Sequence, residues 1–411
     1  MCLNRYNNIN YIIMETLSQD LSQQEVITDE YEIETWDQLD IDPQLLRGIY
    51  SYGFEKPSPI QKKSIHHIFN GKDIVAQAQS GTGKTAAFSI GALQRVNVKN
   101  NNTQVLILSP TRELTTQTSD VIKSLGCYIE KLRIETSFGG ILKEETNSFL
   151  NRNIPHIICG CPGRVYEMLR RDKISARCIK LIILDEADEM LSNSFKEQVY
   201  NILQYLNNDV QVALFSATLP THISNIVDKI MRNPVKINVK AEALTLDGIS
   251  QYYVAVEDDR QKYDTLKDIF SFISLTQCII YCNSVKRVKD LHAAMVEDDF
   301  PVCCIHRDME NIERDKSFKD FRKGTSRVLI SSNITSRGID IQQVSVVINF
   351  DLSKCVHNYL HRIGRSGRWG RKGVGINFIT RKDIGKIKEI ENHYGCKIEE
   401  LPQDMSILKL C

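Results

Sequence analysis

The sequence has no C-x-x-C pair among its 12 cysteines and no apolar run long enough to cross a membrane. The cysteines lie at irregular positions, which predicts reduced thiols in a cytosolic-type compartment and no zinc site. The first residues, MCLNRYNNINYIIMETLSQ, lack the apolar block and the cleavage site of a signal peptide. We therefore expect an intracellular, soluble protein without a membrane partner. The close cysteine sets are Cys159/Cys161, Cys278/Cys282 and Cys303/Cys304.

A basic excess is also missing, because 52 Lys and Arg residues against 51 Asp and Glu residues leave a net charge of +1. Proteins that coat nucleic acid without specificity carry a clear positive charge, so any nucleic-acid contact here must come from local groups. Hydrophobic residues make up 42% and charged residues 25%, which is typical of a chain that folds. The length of 411 residues indicates two or three domains.

Short apolar runs alternate with longer amphipathic segments from Trp36 onward. This alternation is typical of βαβ units and predicts α/β domains with parallel sheets covered by helices. It pauses near Pro234 and then resumes, so we expect two domains joined at about residues 236–248. Residues 1–30 are rich in Asn, Gln and acidic side chains and are predicted to form a mobile arm. The strand-like runs are DIVAQA, QVLILSP, PHIICG, KLIILDEAD and QVALFSAT, then QCIIYCNS, FPVCCIH, RVLISSN, VSVVINF and VGINFIT.

The stretch AQSGTGKT begins at Ala78 and is typical of a phosphate-binding loop. Gly81 and Gly83 allow backbone N–H groups to turn toward phosphate oxygens. Lys84 supplies a cation, and Thr85 offers a hydroxyl to Mg²⁺. Ala78 stands where the usual pattern has its first glycine, which costs little if the backbone there keeps a negative φ. A glycine-rich turn between a strand and a helix is the alternative.

The stretch KLIILDEAD delivers Asp185 and Glu186 to the carboxyl end of a predicted strand, where α/β sheets bind ligands. One carboxylate can hold Mg²⁺, directly or through water, while its neighbour orients and deprotonates the water that attacks the γ-phosphate. The alternative is that the acidic residues only cap a helix.

The glycine-rich stretch HRIGRSGRWGRKG begins at His361. It exposes guanidinium groups on a flexible backbone, and an arginine offered across a cleft accelerates phosphoryl transfer by about a thousandfold or more. That role would make hydrolysis depend on domain closure. A basic surface loop is the alternative. The arginines are Arg362, Arg365, Arg368 and Arg371.

Five shorter polar stretches follow or end strand-like runs, so they are expected on one face of the two sheets. Arg, Thr and backbone N–H groups at such turns are suited to holding a sugar-phosphate backbone without reading bases. Each stretch alone is also an ordinary turn or helix cap. They are PTREL at 110–114, FGG at 138–140, CPGR at 161–164, SAT at 216–218 and SRGID at 336–340.

Taken in order, these motifs resemble the DEAD-box ATP-dependent RNA helicases of superfamily 2, over about residues 34–408. The stretches LLRGIYSYGFEKPSPIQ, LTLDGISQYYVAVEDDRQKYDTL and HRIGRSGRWGRKGVGINF are most similar to the eukaryotic translation initiation factor 4A subfamily. The resemblance implies an α/β fold of two tandem RecA-like domains, each a parallel sheet with helices on both faces. The implied divisions are an arm at 1–33, a Q motif region at 34–62, domain 1 at 63–236, a linker at 237–248 and domain 2 at 249–411.

The resemblance also implies an ATP site that hydrolyses ATP to ADP and phosphate. Trp36, Phe54 and Gln61 would recognise adenine, and Asp340 would contact ribose. Thr85 and Asp185 would hold Mg²⁺, partly through water. The loop residues that would bind the nucleotide are Ala78, Gln79, Ser80, Gly81, Thr82, Gly83, Lys84 and Thr85. The catalytic set would be Lys84, Asp185, Glu186, His361, Arg365 and Arg368, and the residues that couple hydrolysis to strand separation would be Ser216, Ala217 and Thr218.

The RNA backbone is expected to cross both domains. ATP and single-stranded RNA would jointly close the domains on a bent strand, so each ligand must strengthen the binding of the other. Short RNA duplexes would be separated or RNA-protein complexes remodelled, in translation initiation or mRNA metabolism. The RNA contacts implied are Pro110, Thr111, Arg112, Gly139, Gly140, Pro162, Gly163 and Arg164 on the first domain, and Arg287 and the motif-V region SSNITSRGID on the second.

Two other functions remain open from the sequence: an ATP-gated RNA clamp with little unwinding activity, and a P-loop enzyme acting on a small molecule or on DNA. The resemblance suggests a monomer that works with a scaffold protein. We expect a cytoplasmic location, with a nuclear or viral-factory location as alternatives.

Several positions depart from the family pattern. Cys161 replaces the usual threonine of the TPGR element, and Arg307 and Asn311 replace other family residues. In SSNITSRGID, Asn333 replaces an aspartate and Ser336 an alanine. We expect the missing carboxylate to loosen the closed interface, and therefore weaker RNA-stimulated ATPase and unwinding than in related helicases.

Overall fold

The computed structural model describes residues 33–79, 81–139, 154–192, 194–239, 249–272, 277–335, 344–366 and 373–402. They form two α/β domains, each built on a seven-stranded sheet in which the paired strands run parallel. This architecture confirms the predicted pair of parallel sheets. No helix in these ranges combines the length and the apolar character that a membrane crossing needs.

The first sheet has the strand order β3-β4-β2-β5-β6-β1-β7. Its strands are β1 (Ile74–Gln77), β2 (Val105–Leu108), β3 (Ile134–Ser137), β4 (Ile157–Gly160), β5 (Leu181–Asp185), β6 (Gln211–Ser216) and β7 (Val235–Asn238). Its helices are α1 (Pro43–Ser51), α2 (Pro59–Phe69), α3 (Lys84–Arg95), α4 (Arg112–Leu125), α5 (Pro162–Arg170), α6 (Ala187–Met190), α7 (Lys196–Tyr205) and α8 (Thr221–Ile230).

Alternating side chains of these strands enter two separate cores, one on each face of the sheet. Val105 and Ile107 pack in the core that contains Phe88, whereas Leu106 and Leu108 pack in the opposite core. Successive strand residues point to opposite faces, so a strand covered on both sides must be apolar throughout. This is why the strands were visible in the sequence as continuous apolar runs.

The second sheet has the order β10-β11-β9-β12-β13-β8-β14. Its strands are β8 (Ile249–Ala255), β9 (Cys278–Tyr281), β10 (Val302–Ile305), β11 (Val328–Ser331), β12 (Val346–Asn349), β13 (Gly373–Ile379) and β14 (Glu399–Glu400). Its helices are α9 (Gln261–Phe272), α10 (Val285–Glu297), α11 (Asn311–Arg322), α12 (Val356–Ile363) and α13 (Ile384–Tyr394).

The sheet order brings the predicted motifs together. Strands β5, β6 and β1 are neighbours, with Asp185 paired to Phe215 and Gln77 paired to Ser216. The loops that follow these strands therefore leave the same edge of the sheet. Strands β3, β4 and β2 are also neighbours, so the FGG, CPGR and PTREL stretches leave that edge side by side.

Each of the ten named strand-like runs contains a strand of the structure, and β8 lies where a new strand-like run was expected after the pause near Pro234, whereas β3, β7 and β14 had not been predicted. Strand β7 pairs with β1 and extends to Asn238, so the first sheet continues two residues beyond the expected domain boundary at 236. Residues 1–32 of the expected arm and residues 240–248 of the expected linker lie outside the described ranges.

Candidate functional site

The loop after β1 has the backbone of a phosphate-binding turn. Gly81 and Gly83 have φ values of +82° and +97°, a left-handed region that glycine adopts without steric penalty. Ala78 is not among the described residues with positive φ. Its side chain is buried in the core, and its N–H donates to the carbonyl oxygen of Ser216 at 3.1 Å. Alanine therefore fits where the usual pattern has glycine.

The buried ammonium group of Lys84 lies inside this loop. Its Nζ donates to the carbonyl oxygens of Ala78 and Gln79 at 2.6 and 2.8 Å. Burial lowers the pKa of Lys84, and the neighbouring carboxylate of Glu186 opposes that shift. Thr82 donates through Oγ1 to the same Gln79 carbonyl at 2.7 Å. To reach a phosphate, Lys84 must exchange its two carbonyl partners for phosphate oxygens.

The Q motif region forms a direct hydrogen bond to the phosphate-binding loop. Gln61 accepts from the N–H of Ser58 at 2.8 Å and donates through Nε2 to the carbonyl oxygen of Gly83 at 3.3 Å. Trp36 is fully buried and donates from Nε1 to the carbonyl oxygen of Phe54 at 3.0 Å. Trp36 thus holds the backbone of the half-buried Phe54 and has no ring face open to a ligand.

Two carboxylates lie at the end of β5. Glu186 has φ 52° and ψ 54°, a conformation that costs a residue with a side chain about 1 kcal/mol or more. Asp185 accepts from the N–H of Glu186 at 3.0 Å. Burial raises the pKa of Asp185 to about 7, Glu186 adds to the shift, and Lys84 opposes it. Glu186 Oε2 is buried without a hydrogen-bond partner among the described residues, as expected of a group that serves a ligand or a water molecule.

The last residue of the DEAD stretch joins the two domains. Asp188 Oδ2 lies 2.8 Å from Thr218 Oγ1 and 3.0 Å from His361 Nε2, while Asp188 Oδ1 accepts from Ser216 at 3.0 Å. His361 Nδ1 also lies 4.0 Å from Glu186 Oε2. The structure therefore brings the coupling stretch of Ser216, Ala217 and Thr218 to the histidine of the second domain.

The groups of this junction offer atoms that could ligate a metal within 4.8 Å of one another. They are Glu186, Asp188 and His361. Both oxygens of Asp188 already accept hydrogen bonds from protein groups. The arrangement is accordingly that of a hydrogen-bonded domain junction and not of a metal centre.

Helix α12, which contains His361, is followed by Arg365, whose residue surface is 2% exposed. Its Nε donates to the carbonyl oxygen of His361 at 3.1 Å. Burial is the main cause of the lowered pKa of Lys84, and the charge of Arg365 adds to it.

Two ion pairs connect the domains beside the PTREL stretch. Glu113 Oε1 lies 2.7 Å from Arg314 Nη2, and Arg112 Nη2 lies 3.2 Å from Asp315 Oδ2. Arg112 also lies over the ring of Phe138, 4.6 Å from its centroid. The cleft is therefore closed by specific contacts on this side as well.

The remaining residues predicted to contact RNA are near helix starts or in ion pairs. Thr111 caps α4 by accepting from the N–H of Leu114 at 3.3 Å. Arg164 pairs with Glu167 at 2.6 Å. Pro110 and Gly139 follow β2 and β3, and Pro162 and Gly163 open α5 after β4.

Arg287 is the predicted RNA contact of the second domain. It lies 3.1 Å from Asp259 and 3.1 Å from Asp351, and 30% of its side chain is exposed. Ion pairs within its own domain thus hold this arginine, so an RNA phosphate would have to share it with two carboxylates.

Cys161 lies just before α5, with Sγ 3.6 Å from Thr115 Oγ1. Burial raises the pKa of this thiol to about 11. Asn333 accepts two hydrogen bonds from Arg362 of its own domain. Both of these bonds lie within domain 2, and the weaker coupling expected from the missing carboxylate stays a prediction.

Four predicted site residues lie outside the described ranges: Ser80, Gly140, Asp340 and Arg368. Ser336 does as well. Three other residues had not been assigned a role from the sequence, namely Glu113, Asp188 and Arg314. Arg362 had been predicted to expose its guanidinium group toward the cleft, which is wrong, because its side chain is fully buried and bonded within domain 2. Asp188 lies in the DEAD motif and Arg362 in the HRIGRSGR motif, so their places in these motifs could have identified both residues as functional. The pairing of Glu113 with Arg314 depends on how the two domains meet.

Comparisons with known proteins agree with this geometry. Residues 58–226 match the DEAD/DEAH box helicase family and residues 261–370 match the helicase conserved C-terminal domain. Eukaryotic initiation factor 4A of Caenorhabditis elegans is 47% identical over 376 residues, covering 92% of this chain and 93% of the relative. The ATP-dependent RNA helicase FAL1 of Eremothecium gossypii is also 47% identical, covering 91% of this chain and 94% of its own.

Solved structures of one related helicase differ in how closely they match this chain. Saccharomyces cerevisiae Dbp5 bound to RNA and ADP BeF3 has a TM-score of 0.85 at 33% identity, covering 91% of this chain and 97% of its own. A point variant of Dbp5 bound to Nup159, Gle1, IP6 and ADP has a TM-score of 0.61 at 31% identity, covering 89% and 96%. The structure of this chain is thus more similar overall to the first complex.

Proposed function

The chain belongs to the DEAD/DEAH box helicase family and is an ATP-dependent RNA helicase of translation initiation or related RNA metabolism, and from this premise we propose that ATP and RNA jointly close its two RecA-like domains. The observation that carries the proposal is the contact of His361 with Asp188 at 3.0 Å. It connects a helix of the second domain to the DEAD stretch and, through Asp188, to Thr218 of the coupling stretch.

We propose Mg²⁺ as the metal that accompanies ATP. The donors at the end of β5 and the start of α3 are oxygens, the ligands that Mg²⁺ prefers. Asp185 is a buried carboxyl group whose pKa is raised to about 7 by burial, so a divalent cation would favour its ionised form. Asp185 and Thr85 would hold the ion, partly through water. When bound, Mg²⁺ neutralises charge on the phosphate oxygens.

The protein groups would act on ATP from both domains. Lys84 would release its loop carbonyls and bind the phosphates. Glu186, with its unpaired Oε2, would orient the water that attacks the γ-phosphate. Arg365 would stabilise the charge that develops on the transferred group, and Arg368 is proposed for the same role. Since Arg365 belongs to domain 2, hydrolysis would require the closed arrangement.

RNA is proposed to lie across the carboxyl ends of β3, β4 and β2, where the FGG, CPGR and PTREL stretches lie side by side. Backbone N–H groups at the starts of α4 and α5 can bind phosphates without reading bases. This surface adjoins the ion pairs Arg112–Asp315 and Glu113–Arg314, so an RNA strand held there would favour closure.

Coupling between the ligands would then follow from linkage. Both sites are completed by contacts that exist only when the domains meet, so each ligand binds the closed state better than the open one. By thermodynamic reciprocity each must strengthen the binding of the other. The greater similarity to Dbp5 bound to RNA and ADP BeF3 supports this assignment of the closed state.

We further propose a monomer that acts in the cytoplasm with a scaffold protein. Solved complexes of Dbp5 with Gle1 show a helicase of similar fold with protein partners, which supports a scaffold. The free thiols of the described cysteines support a reducing compartment.

Unwinding of a short RNA duplex with a fluorophore and a quencher on opposite strands tests the proposal. We expect strand separation with ATP and none with a non-hydrolysable analogue in multiple-turnover conditions. ATP-dependent RNA retention without strand separation would indicate an RNA clamp. No RNA dependence at all would contradict the proposal.

A further inference from the structure

Arg362 is one of the largest fully buried side chains of the described residues, and it carries a charge. Its Nε and Nη2 donate to Asn333 Oδ1 at 2.8 and 2.6 Å, and Nη2 also donates to Asn283 Oδ1 at 2.8 Å. Its Nη1 donates to Asn349 Oδ1 at 3.1 Å and to the carbonyl oxygen of Asp351 at 2.8 Å. We call the three asparagines the asparagine cage.

These acceptors of Arg362 are all neutral, which is unusual because buried charges are normally paired with opposite charges. The carboxylate of Asp351 is directed elsewhere and contacts Lys262 at 3.4 Å and Arg287 at 3.1 Å. Burial lowers the pKa of Arg362 to about 10. The ring of Tyr281, 5.2 Å from the guanidinium carbon, adds a cation–π contact.

The asparagine cage connects the segment that leads into SRGID to helix α12. Asn333 opens the short 3₁₀ helix Asn333–Thr335, which leads into the SRGID stretch. The hydroxyl of Tyr281 donates to the carbonyl oxygen of Thr335 at 3.0 Å and fixes the other end of that helix. Arg362 itself lies on α12, adjacent to His361.

The positions of the two catalytic groups depend on α12. His361 is its sixth residue and reaches Asp188 of the first domain. Arg365 follows its end and bonds back to the His361 carbonyl. A rotation of α12 would therefore move both groups away from the ATP site. The hydrogen bonds from the asparagine cage oppose such a rotation, because Arg362 is the buried anchor of the helix.

We propose that Asn333 is a positioning residue that acts through Arg362: it sets the register of α12 against the segment leading into SRGID, so that RNA contact at that segment is transmitted to His361 and Arg365. The proposal deepens the function proposed above and rests on it. The requirement is for an acceptor oxygen at position 333, and a negative charge there is not needed for the geometry.

The test compares Asn333→Ala with Asn333→Asp in the full chain. Removing the acceptor leaves two guanidinium N–H groups of Arg362 without this partner, so α12 loses its fixed register. We expect RNA-stimulated kcat to fall about threefold to thirtyfold in Asn333→Ala, the range that coupling residues show. The KM for ATP should stay the same. Asn333→Asp keeps the oxygen and should stay within about twofold of wild type.

Asn207→Ala is the matched control, since Asn207 is an exposed asparagine of domain 1 that donates to the Arg177 carbonyl at 3.1 Å. It should change none of these rates. A second cage variant, Asn283→Ala, removes one acceptor and leaves Asn333 in place, and it should lower RNA stimulation less than Asn333→Ala does. It keeps the test decisive if Asn333→Ala does not fold.

A purely structural role would lower the melting temperature of Asn333→Ala and leave RNA stimulation at the wild-type level in both cage variants, which would overturn the inference. Equal losses in Asn333→Ala and Asn333→Asp would also overturn it, because the acceptor oxygen would then not be the relevant feature. A wild-type protein without RNA stimulation would instead contradict the proposed function.

Discussion

Arg314 Nη2 of the second domain lies 2.7 Å from Glu113 Oε1 of the first, with only 12% and 4% of the two side chains exposed. Removing one partner of such a pair leaves a buried charge in the closed state, at a cost of about 2 kcal/mol or more. We predict that Arg314→Ala weakens RNA binding in the presence of a non-hydrolysable ATP analogue by about thirtyfold. Fluorescence anisotropy with labelled single-stranded RNA measures this affinity.

The neighbouring pair of Arg112 and Asp315 provides the control. Asp315 is 51% exposed, and exposed ion pairs contribute about 1 kcal/mol or less. Asp315→Ala should therefore reduce the same affinity by no more than about fivefold. Equal effects of Arg314→Ala and Asp315→Ala would show that burial of the Glu113–Arg314 pair is irrelevant to closure.

Two substitutions in the phosphate loop should differ in their effect on ATP binding. Gly83→Ala imposes a φ of +97° on a residue with a side chain and places its Cβ 2.7 Å from Gln61 Nε2. The strain is about 1–2 kcal/mol before any clash, so the KM for ATP should rise about tenfold or more. Steady-state ATPase assays measure this change.

Ala78→Gly restores the usual glycine of the pattern and is the companion variant. Ala78 is 1% exposed and has no positive φ, so ATP affinity should stay within about twofold. The free energy of unfolding should fall by about 0.5–1 kcal/mol, because glycine is freer in the unfolded chain. A marked gain in ATP affinity would mean that alanine compromises the loop.

The contact between His361 and Asp188 should carry coupling between the domains. We predict that His361→Ala and Asp188→Asn each reduce RNA-stimulated kcat about tenfold or more, with RNA-free ATP binding retained. Because the two residues act as a unit, the double variant should be little worse than either single variant. Losses that multiply in the double variant would show that the residues act independently.

Cys161, next to Thr115, offers a chemical test of burial in domain 1. Burial raises the pKa of its thiol to about 11, so at pH 8 the thiol is almost entirely protonated and unreactive. Iodoacetamide at pH 8 should modify the exposed Cys127 well before Cys161, as peptide mass spectrometry can measure. Equal rates of modification at the two cysteines would contradict the described environment.

Most of the fold was predictable, because parallel strands that are covered on both faces appear in the sequence as continuous apolar runs. The strands that were missed include exceptions to that rule: β3, IETS, is mostly half-buried, and β14 has two exposed residues. The phosphate loop and the DEAD stretch were also predictable, since their chemistry is contiguous in the sequence.

The contacts that close the cleft were not predictable in the same way. Glu113 and Arg314 lie in different domains, so nothing in either local sequence specifies their pairing. The partners of Arg362 come from the ends of β9, β11 and β12, and they meet only because the sheet order places these strands side by side. Trp36 was assigned to adenine, but its ring is buried in the core of domain 1.

Steady-state ATP hydrolysis, with no nucleic acid, with single-stranded RNA and with single-stranded DNA, tests the central claim most directly. Wild-type protein and Glu186→Gln are compared, because Glu186 is proposed to orient the attacking water. We predict stimulation by RNA and not by DNA, and its loss in Glu186→Gln while ATP binding is retained. Hydrolysis that is indifferent to RNA, or that survives in Glu186→Gln, would contradict an RNA-coupled ATPase built on this cleft.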